Sequence, residues 1–317
     1  MWRLVVRRSL LALPVLWIVS FVSFVGMELV PGDTLSTFFG QEQVDITQEQ
    51  LEALEHEFGL DRPLLVRYGS WLTDVFQGEL GTSLSSGRPV GEIIPDKLFV
   101  SIWITSTTLV LNIVIGVVLG GIAGVNAGGK FDLIATFLAT WGIATPNFWV
   151  AILLIIVFSL YLDLLPASGW VSPMDDPVDA AKHLILPILS LGLLGSASVM
   201  RQTRSSMIEV LSQDYVRTAR AKGLTERAVV IRHAMRNAMI PVVTVATLQL
   251  SFLVGGSVLI EQVFALPGLG RLAVTSVQGK DYPVIQMIVL MAATAIVISN
   301  LIADIMYAVL DPRIEYA

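Results

Sequence analysis

Six long stretches of this chain carry almost no charge: residues 9–30, 99–125, 133–162, 184–200, 238–260 and 282–303. Glu28 is the only charged side chain within them. An α-helix rises about 1.5 Å per residue, so roughly 20 apolar residues cross the hydrocarbon of a bilayer. The stretch at 184–200 is the shortest and predicts a helix running on past Arg201; the stretch at 133–162 is interrupted by Pro146. Charged residues make up 15% of the 317, where a soluble domain carries about 25%. These features predict an all-α integral membrane protein with six transmembrane helices.

The charges that remain are segregated. Residues 31–97 carry twelve acidic and four basic side chains, whereas residues 201–240 carry eight basic and three acidic ones. Basic residues in short flanks stay on the cytoplasmic side. Both termini and the 201–240 segment are therefore expected in the cytoplasm, and residues 31–97 form an extracytoplasmic insertion. Arg3, Arg7 and Arg8 precede the first stretch, and no small-residue cleavage site follows it near Pro31. Residues 1–30 are expected to be an uncleaved anchor that includes helix 1, with the five-helix remainder at 98–317. Inside the insertion, Leu51, Leu54 and Phe58 behind Thr47 predict a helix over 46–58. Leu65, Tyr68, Trp71, Leu72 and Val75 predict another over 63–76, ended by Gly78, Gly81 and Gly87.

Several classes of function drop out. Without cysteine the chain has no disulfide, thiolate metal site or thiol nucleophile, and His56, His183 and His233 lack metal-ligand spacing. No catalytic residues, metal ligands or nucleic-acid partner are expected. Gly124 to Lys130 has the spacing of the first part of a phosphate-binding loop, but Phe131 replaces the Ser or Thr that would hold magnesium, and no strand precedes it. It predicts a tight turn between spans. Gly116, Gly120 and Gly124 recur every four residues on one helix face, a pattern that lets helices approach closely. Polar groups in or beside the spans are few: Glu28, Asn112, Asn147, Gln249, Asn300 and Asp304. Such groups are costly in hydrocarbon and usually face a cavity or a partner. Asn112, Asn147, Gln249 and Asn300 are the candidates for a translocation pathway. A proton relay needs a series of acids at depth, and their scarcity points to an external energy source.

The segment at 201–240 is the most informative. Ile208, Leu211, Tyr215 and Ala219 follow helical spacing; Gly223 suits the left-handed residue that ends a helix. Thr225 suits an N-cap, Leu224 and Val229 a hydrophobic staple, and Ala228 stands where a capping box would place an acid. The expectation is helix, exposed turn, helix; a basic loop lying on anionic lipid is the alternative. Asp214-Tyr-Val-Arg-Thr-Ala-Arg-Ala-Lys-Gly-Leu224, followed by Arg232-His-Ala-Met-Arg-Asn237, resembles the cytoplasmic EAA loop of ABC importer permeases, most closely the dipeptide, oligopeptide and nickel branch. Arg217, Thr218 and Ala219 take the Glu-Ala-Ala places, Gly223 is the glycine, and Arg236 stands where the wider family has proline; the peptide branch tolerates both departures. Val30-Pro-Gly-Asp33, Phe58-Gly-Leu-Asp-Arg-Pro63, Tyr68, Trp71, Gly81-Thr-Ser83, Leu165-Pro-Ala-Ser-Gly169, His183 to Pro187, Phe264 to Arg271 and Asp311-Pro-Arg-Ile314 resemble the same branch in order.

The resemblance implies a type I ABC importer permease fold and a place as the first permease of a heteromeric pair. It implies a multi-pass protein of a bacterial or archaeal cytoplasmic membrane, in contact with lipid. It further implies that Arg217, Ala219, Arg220, Lys222, Gly223, Leu224 and Thr225 couple to an ATPase subunit. ATP and magnesium would sit on two separate ATPase subunits, leaving this chain without cofactor or enzymatic activity. A second homologous permease would complete the pathway, and an extracytoplasmic binding protein would deliver peptides, nickel or related small solutes to the outer loops at 31–97 and 261–283. An assembly or export factor and an ion-coupled secondary transporter are the competing readings; the latter lacks the inverted internal symmetry common to that class.

Overall fold

The computed structural model describes residues 2–28 and 62–310, without the side chains of 2–5, 28, 250–256 and 307–310. The expected helix over 46–58 and the motifs at 30–33 and 311–314 lie outside the described residues, as does 58–61 of the Phe58–Pro63 motif. Among the described residues the regular elements are helices. They run α1 Trp2–Glu28, α2 Leu64–Gln77, α3 Val90–Val125, α4 Lys130–Ala144 and α5 Asn147–Leu154, which widens into π-helical Ile155–Tyr161. Next come α6 Pro177–Leu211, α7 Asp214–Ala221 and the short α8 Glu226–Ala228, then π-helical Val229–Ala234. The chain finishes with α9 Met235–Val263, α10 Leu269–Gln278 and α11 Tyr282–Leu310.

Four stretches are long and apolar enough to cross a membrane: Val6–Met27, Val90–Val125, Pro177–Leu211 and Tyr282–Met306. The pair α4 and α5 makes a fifth if taken together, although the two are bent by 106°. Pro146 causes the bend: proline cannot donate to the helical ladder, and it drives the residue before it out of the helical region. Thr145 and Pro146 accordingly adopt extended backbone, with ψ of 130° and 133°. The short apolar segment at 184–200 lies inside the 35-residue α6, which extends it at both ends. Asp176 caps α6 by accepting from the Val178 and Asp179 amides at 3.0 Å each, with Pro177 at the first helical position. The segment at 238–260 lies inside the 29-residue α9.

The chain divides into two compact units. The first comprises Met1–Arg8, Val100–Arg271 and Ala295–Ala317. Its main core joins Val100 and Ile104 of α3, Ala151 of α5, Leu184, Leu186, Ile188 and Leu191 of α6, and Ile260, Phe264 and Leu266. Here Gly116, Gly120 and Gly124 all face α6. A Cβ at these positions would fall 2.5 Å from Val199 Cβ, 2.4 Å from the Met200 carbonyl oxygen and 2.6 Å from Met207 Cβ. The absent side chains are what let α3 and α6 touch backbone to backbone.

The second unit comprises Ser9–Phe99 and Leu272–Thr294. The expected helix over 63–76 forms α2 and packs on α1 through aromatic rings. Tyr68 is buried, its hydroxyl 2.8 Å from Ser20 Oγ and its ring edge-on to Phe21 and Phe24 at 5.2 and 5.6 Å. Gly78, Gly81 and Gly87 carry positive φ and fold the chain into the loop that leads to α3. Asp281 holds that loop from the other side of the unit. Its carboxylate accepts from the hydroxyls of Ser83 and Ser85 at 2.6 and 2.7 Å, and from the Leu84 and Ser85 amides. Burial pushes its pKa upward, but those four donors outweigh burial and hold it below the usual aspartate range.

Candidate functional site

The 201–240 segment folds as helix, turn, helix. α6 ends at Leu211, Ser212 and Gln213 break the run, and α7 restarts at Asp214. The expected spacing misplaces the inward face on both sides of the break: Ile208 and Tyr215 are exposed, while their neighbours Met207 and Val216 are fully buried. Tyr215 Oη instead accepts from Asn237 Nδ2 at 2.7 Å, tying α7 to the start of α9.

Gly223 ends α7 with a φ of +79°, and the Gly223 amide donates to the Arg220 carbonyl at 3.0 Å. Thr225 is the N-cap of the next element, its hydroxyl accepting from the Ala228 amide. An ion pair closes the turn: Arg220 Nε and a terminal guanidinium nitrogen donate to the two carboxylate oxygens of Glu226 at 3.1 and 2.7 Å. Such a two-point fork fixes direction as well as distance. The Arg220 guanidinium holds the Glu226 carboxyl below its ordinary pKa, and the Arg220 pKa rises in turn. Val229 is buried as the staple expects, but against Val216 and Ala219, with Val210 and Leu211 beside them; its expected partner Leu224 is 42% exposed.

The seven residues expected to meet an ATPase subunit therefore divide. Arg217, Arg220, Lys222, Gly223, Leu224 and Thr225 are exposed on one turn. Ala219 is only 7% exposed and lies in the cluster with Val216 and Val229, so its side chain supports the turn from beneath instead of offering a contact surface. The exposed set combines cations, one apolar side chain and a backbone without Cβ, a combination suited to seating in a groove of another protein.

The expected pathway residues also divide. Asn112 and Gln249 are buried together where α3, α6 and α9 meet. Gln249 Nε2 donates to the Gly195 carbonyl at 2.7 Å. With its amide turned toward α6, Asn112 donates to the carbonyls of Thr108 and Gly192 at 3.2 and 2.8 Å. Gly192 and Gly195 leave the room, since a Cβ at Gly195 would fall 2.0 Å from the end of the Asn112 amide. This arrangement locks helices together. Asn147, by contrast, is half-buried in the first turn of α5, and Asn300 is exposed on α11. Asp304, expected near a span end, pairs with Arg8 at 3.1 Å.

Two further buried acids, like Asp281, escaped the sequence reading because each lies just outside an uncharged stretch. Asp132, in the first turn of α4, accepts from Arg204 Nε on one carboxylate oxygen and from a terminal guanidinium nitrogen on the other, the second at 2.8 Å. Glu261 is fully buried near the end of α9. It accepts from Ser101 Oγ at 2.7 Å and from the Arg271 amide at 2.9 Å, and the Leu269 amide donates to Ser101 Oγ at 2.8 Å. This network pins the Phe264–Arg271 loop, whose Gly268 and Gly270 lie against the Glu261 carboxylate. A cue was present in the sequence: an acid directly beside a span has to find buried donors.

The family described as binding-protein-dependent transport system inner membrane component matches residues 116–316, and the description of its N-terminal region matches residues 1–102. A Brucella suis biovar 1 protein named as a peptide transport system permease is 40% identical over 316 residues, covering 100% of both chains. The oligopeptide transport system permease protein AppB of Bacillus subtilis is 39% identical, covering 98% of this chain and 99% of its own. The glutathione transport system permease protein GsiC of Escherichia coli O6:H1 is 41% identical, covering 98% of each. A bundle of apolar helices carrying an exposed basic hairpin thus comes with full-length similarity to membrane permeases, and the chain belongs to the inner membrane component family of binding-protein-dependent ABC importers.

Proposed function

We propose that this chain forms half of the translocation pathway of an ATP-driven importer for peptides, as the first permease of a heteromeric pair. It crosses the cytoplasmic membrane six times with both termini inside; residues 31–97 form an outer insertion, and the 201–240 hairpin docks into an ATPase subunit. ATP and magnesium act on two such subunits, a homologous permease supplies the other half, and an extracytoplasmic binding protein delivers cargo. The relatives named for peptide, oligopeptide and glutathione transport support the cargo class.

The observation that carries the mechanism is the closed turn: Gly223 at positive φ, exposed and braced by the Arg220–Glu226 fork. Closure of two ATPase subunits must reach the spans as a push, and a rigid turn transmits a push where a limp loop absorbs it. The cations around it set register on a complementary surface more than they add affinity. The test is purification of the chain in mild detergent, where two ATPase subunits and a second permease are expected to accompany it. Gly223→Asp is expected to leave that assembly intact while lowering ATP hydrolysis stimulated by the binding protein. Transport at the normal rate in this variant would remove the coupling assignment.

A further inference from the structure

Asp132 is only 1% exposed, yet its carboxylate has a full complement of donors. Besides the Arg204 fork, it accepts from the Gly128 amide at 2.8 Å and the Thr136 hydroxyl at 3.3 Å. Its place in the first turn of α4 adds the favourable end of the helix dipole. A charge buried at this cost is retained only in tight geometry.

Its partner sits at a junction. Arg204 lies about two turns before the end of α6. On the same stretch, α3 presses in through Gly120 and Gly124, where added Cβ atoms would come within 2.7 Å of Thr203 and 2.6 Å of Met207. Farther along, Val210 and Leu211 pack both against the hairpin cluster of Val216, Ala219 and Val229 and against the cluster of Met207, Ala234 and Ala238 at the start of α9. The hairpin thus stands on the end of α6. The apolar contact joining α4 to α6 mixes small and large side chains, Ala139 and Ile143 with Ala197 and Met200, and Gly142 lies against Leu193. Apolar contact is non-directional and sets separation; the guanidinium fork also sets direction.

Resting on the coupling reading above, we infer that the Asp132–Arg204 pair is the joint that carries displacement of the hairpin from α6 into the bent α4–α5 pair. It is a positioning element of the transport step.

The test uses the whole complex in liposomes, with its binding protein and a tryptic digest of casein as the peptide source. Peptide taken up per ATP hydrolysed is measured, along with assembly and unstimulated hydrolysis. D132N/R204Q removes the fork without stranding a charge. It is expected to assemble as the wild type does, while uptake per ATP falls on the order of two- to thirtyfold, the range of effects along coupling networks. R204K keeps the charge but offers a point contact in place of the fork; its uptake per ATP is expected to fall by less, and it decides the matter if the double variant does not assemble. A purely structural pair would change assembly or unstimulated hydrolysis and leave uptake per ATP alone. Wild-type uptake per ATP in R204K, or in an assembled D132N/R204Q, overturns the joint. A wild-type complex that the loaded binding protein fails to stimulate overturns the coupling reading beneath it.

Discussion

At the residue scale, Gly223 and Glu226 show two ways of fixing one turn. Nothing lies within 4 Å of a Cβ built on Gly223, so space does not demand glycine there. The backbone does, because a left-handed conformation costs other L-residues about 1–2 kcal/mol. Glu226 acts through charge. Its pKa is depressed by Arg220 in the folded chain, so the stabilisation it gives is fully present above the unfolded value. That stabilisation is lost as pH falls through the lower folded value. Between pH 8 and 5 the protection of the Gly223 amide against hydrogen exchange, corrected for intrinsic rates, should therefore stay level. It should fall only in acid below the ordinary glutamate value of about 4.3. Glu226→Gln should lose that protection already at pH 7, modestly, because the pair is solvent-exposed and screened. A wild-type loss centred between pH 6 and 7 would mean that another group closes the turn.

At the element scale, sequence pattern and structure agree best where periodicity or steric chemistry is strong. The glycine row of α3, the helix at 64–77 and the Gly223 stop could all be read from spacing, because each follows from which side chains are missing or repeated. Three things could not. Ala219 was expected at the contact surface because motif position says nothing about which way a side chain turns once Ser212 and Gln213 reset the helix. The 106° bend was visible only as Pro146, since a proline can either kink a helix or break it and the neighbours decide. Asp132 and Glu261 each take a side-chain donor more than 70 residues away, Arg204 and Ser101, a pairing no local window contains. The glycine row yields a graded prediction. Gly120→Ala drives a methyl to 2.4 Å from the Met200 carbonyl oxygen, whereas Gly26→Ala in α1 meets nothing within 4 Å. The first should destabilise by about 1–3 kcal/mol, the usual cost of overpacking. The second should be neutral or slightly stabilising, because alanine favours helix over glycine by up to about 1 kcal/mol. Thermal unfolding of the two variants in the same detergent compares them; equal midpoints would mean that α3 and α6 separate freely.

At the scale of the whole molecule, the remaining problem is which face of the membrane each loop occupies. The Arg8–Asp304 pair brings the start of α1 level with the late turns of α11, which argues for an even number of crossings between them. Length and composition give four spans, or five with the bent pair; counting α9 as well makes six. The segregation of charge, twelve acids to four bases in 31–97 against three to eight in 201–240, argues for the first segment outside and the hairpin inside. The chain offers a clean readout because it contains no cysteine, so any thiol introduced is the only one in this subunit. Ser70 on α2 and Thr218 on α7 are both exposed, and neither substitution disturbs a core. A membrane-impermeant maleimide should label S70C in sealed spheroplasts. It should label T218C only after the membrane is opened, and then less readily once the ATPase subunits are bound over the hairpin. Labelling of T218C in sealed cells would place the hairpin on the wrong side for any ATP-driven motor, and with it would go the mechanism built on Gly223 and Arg204.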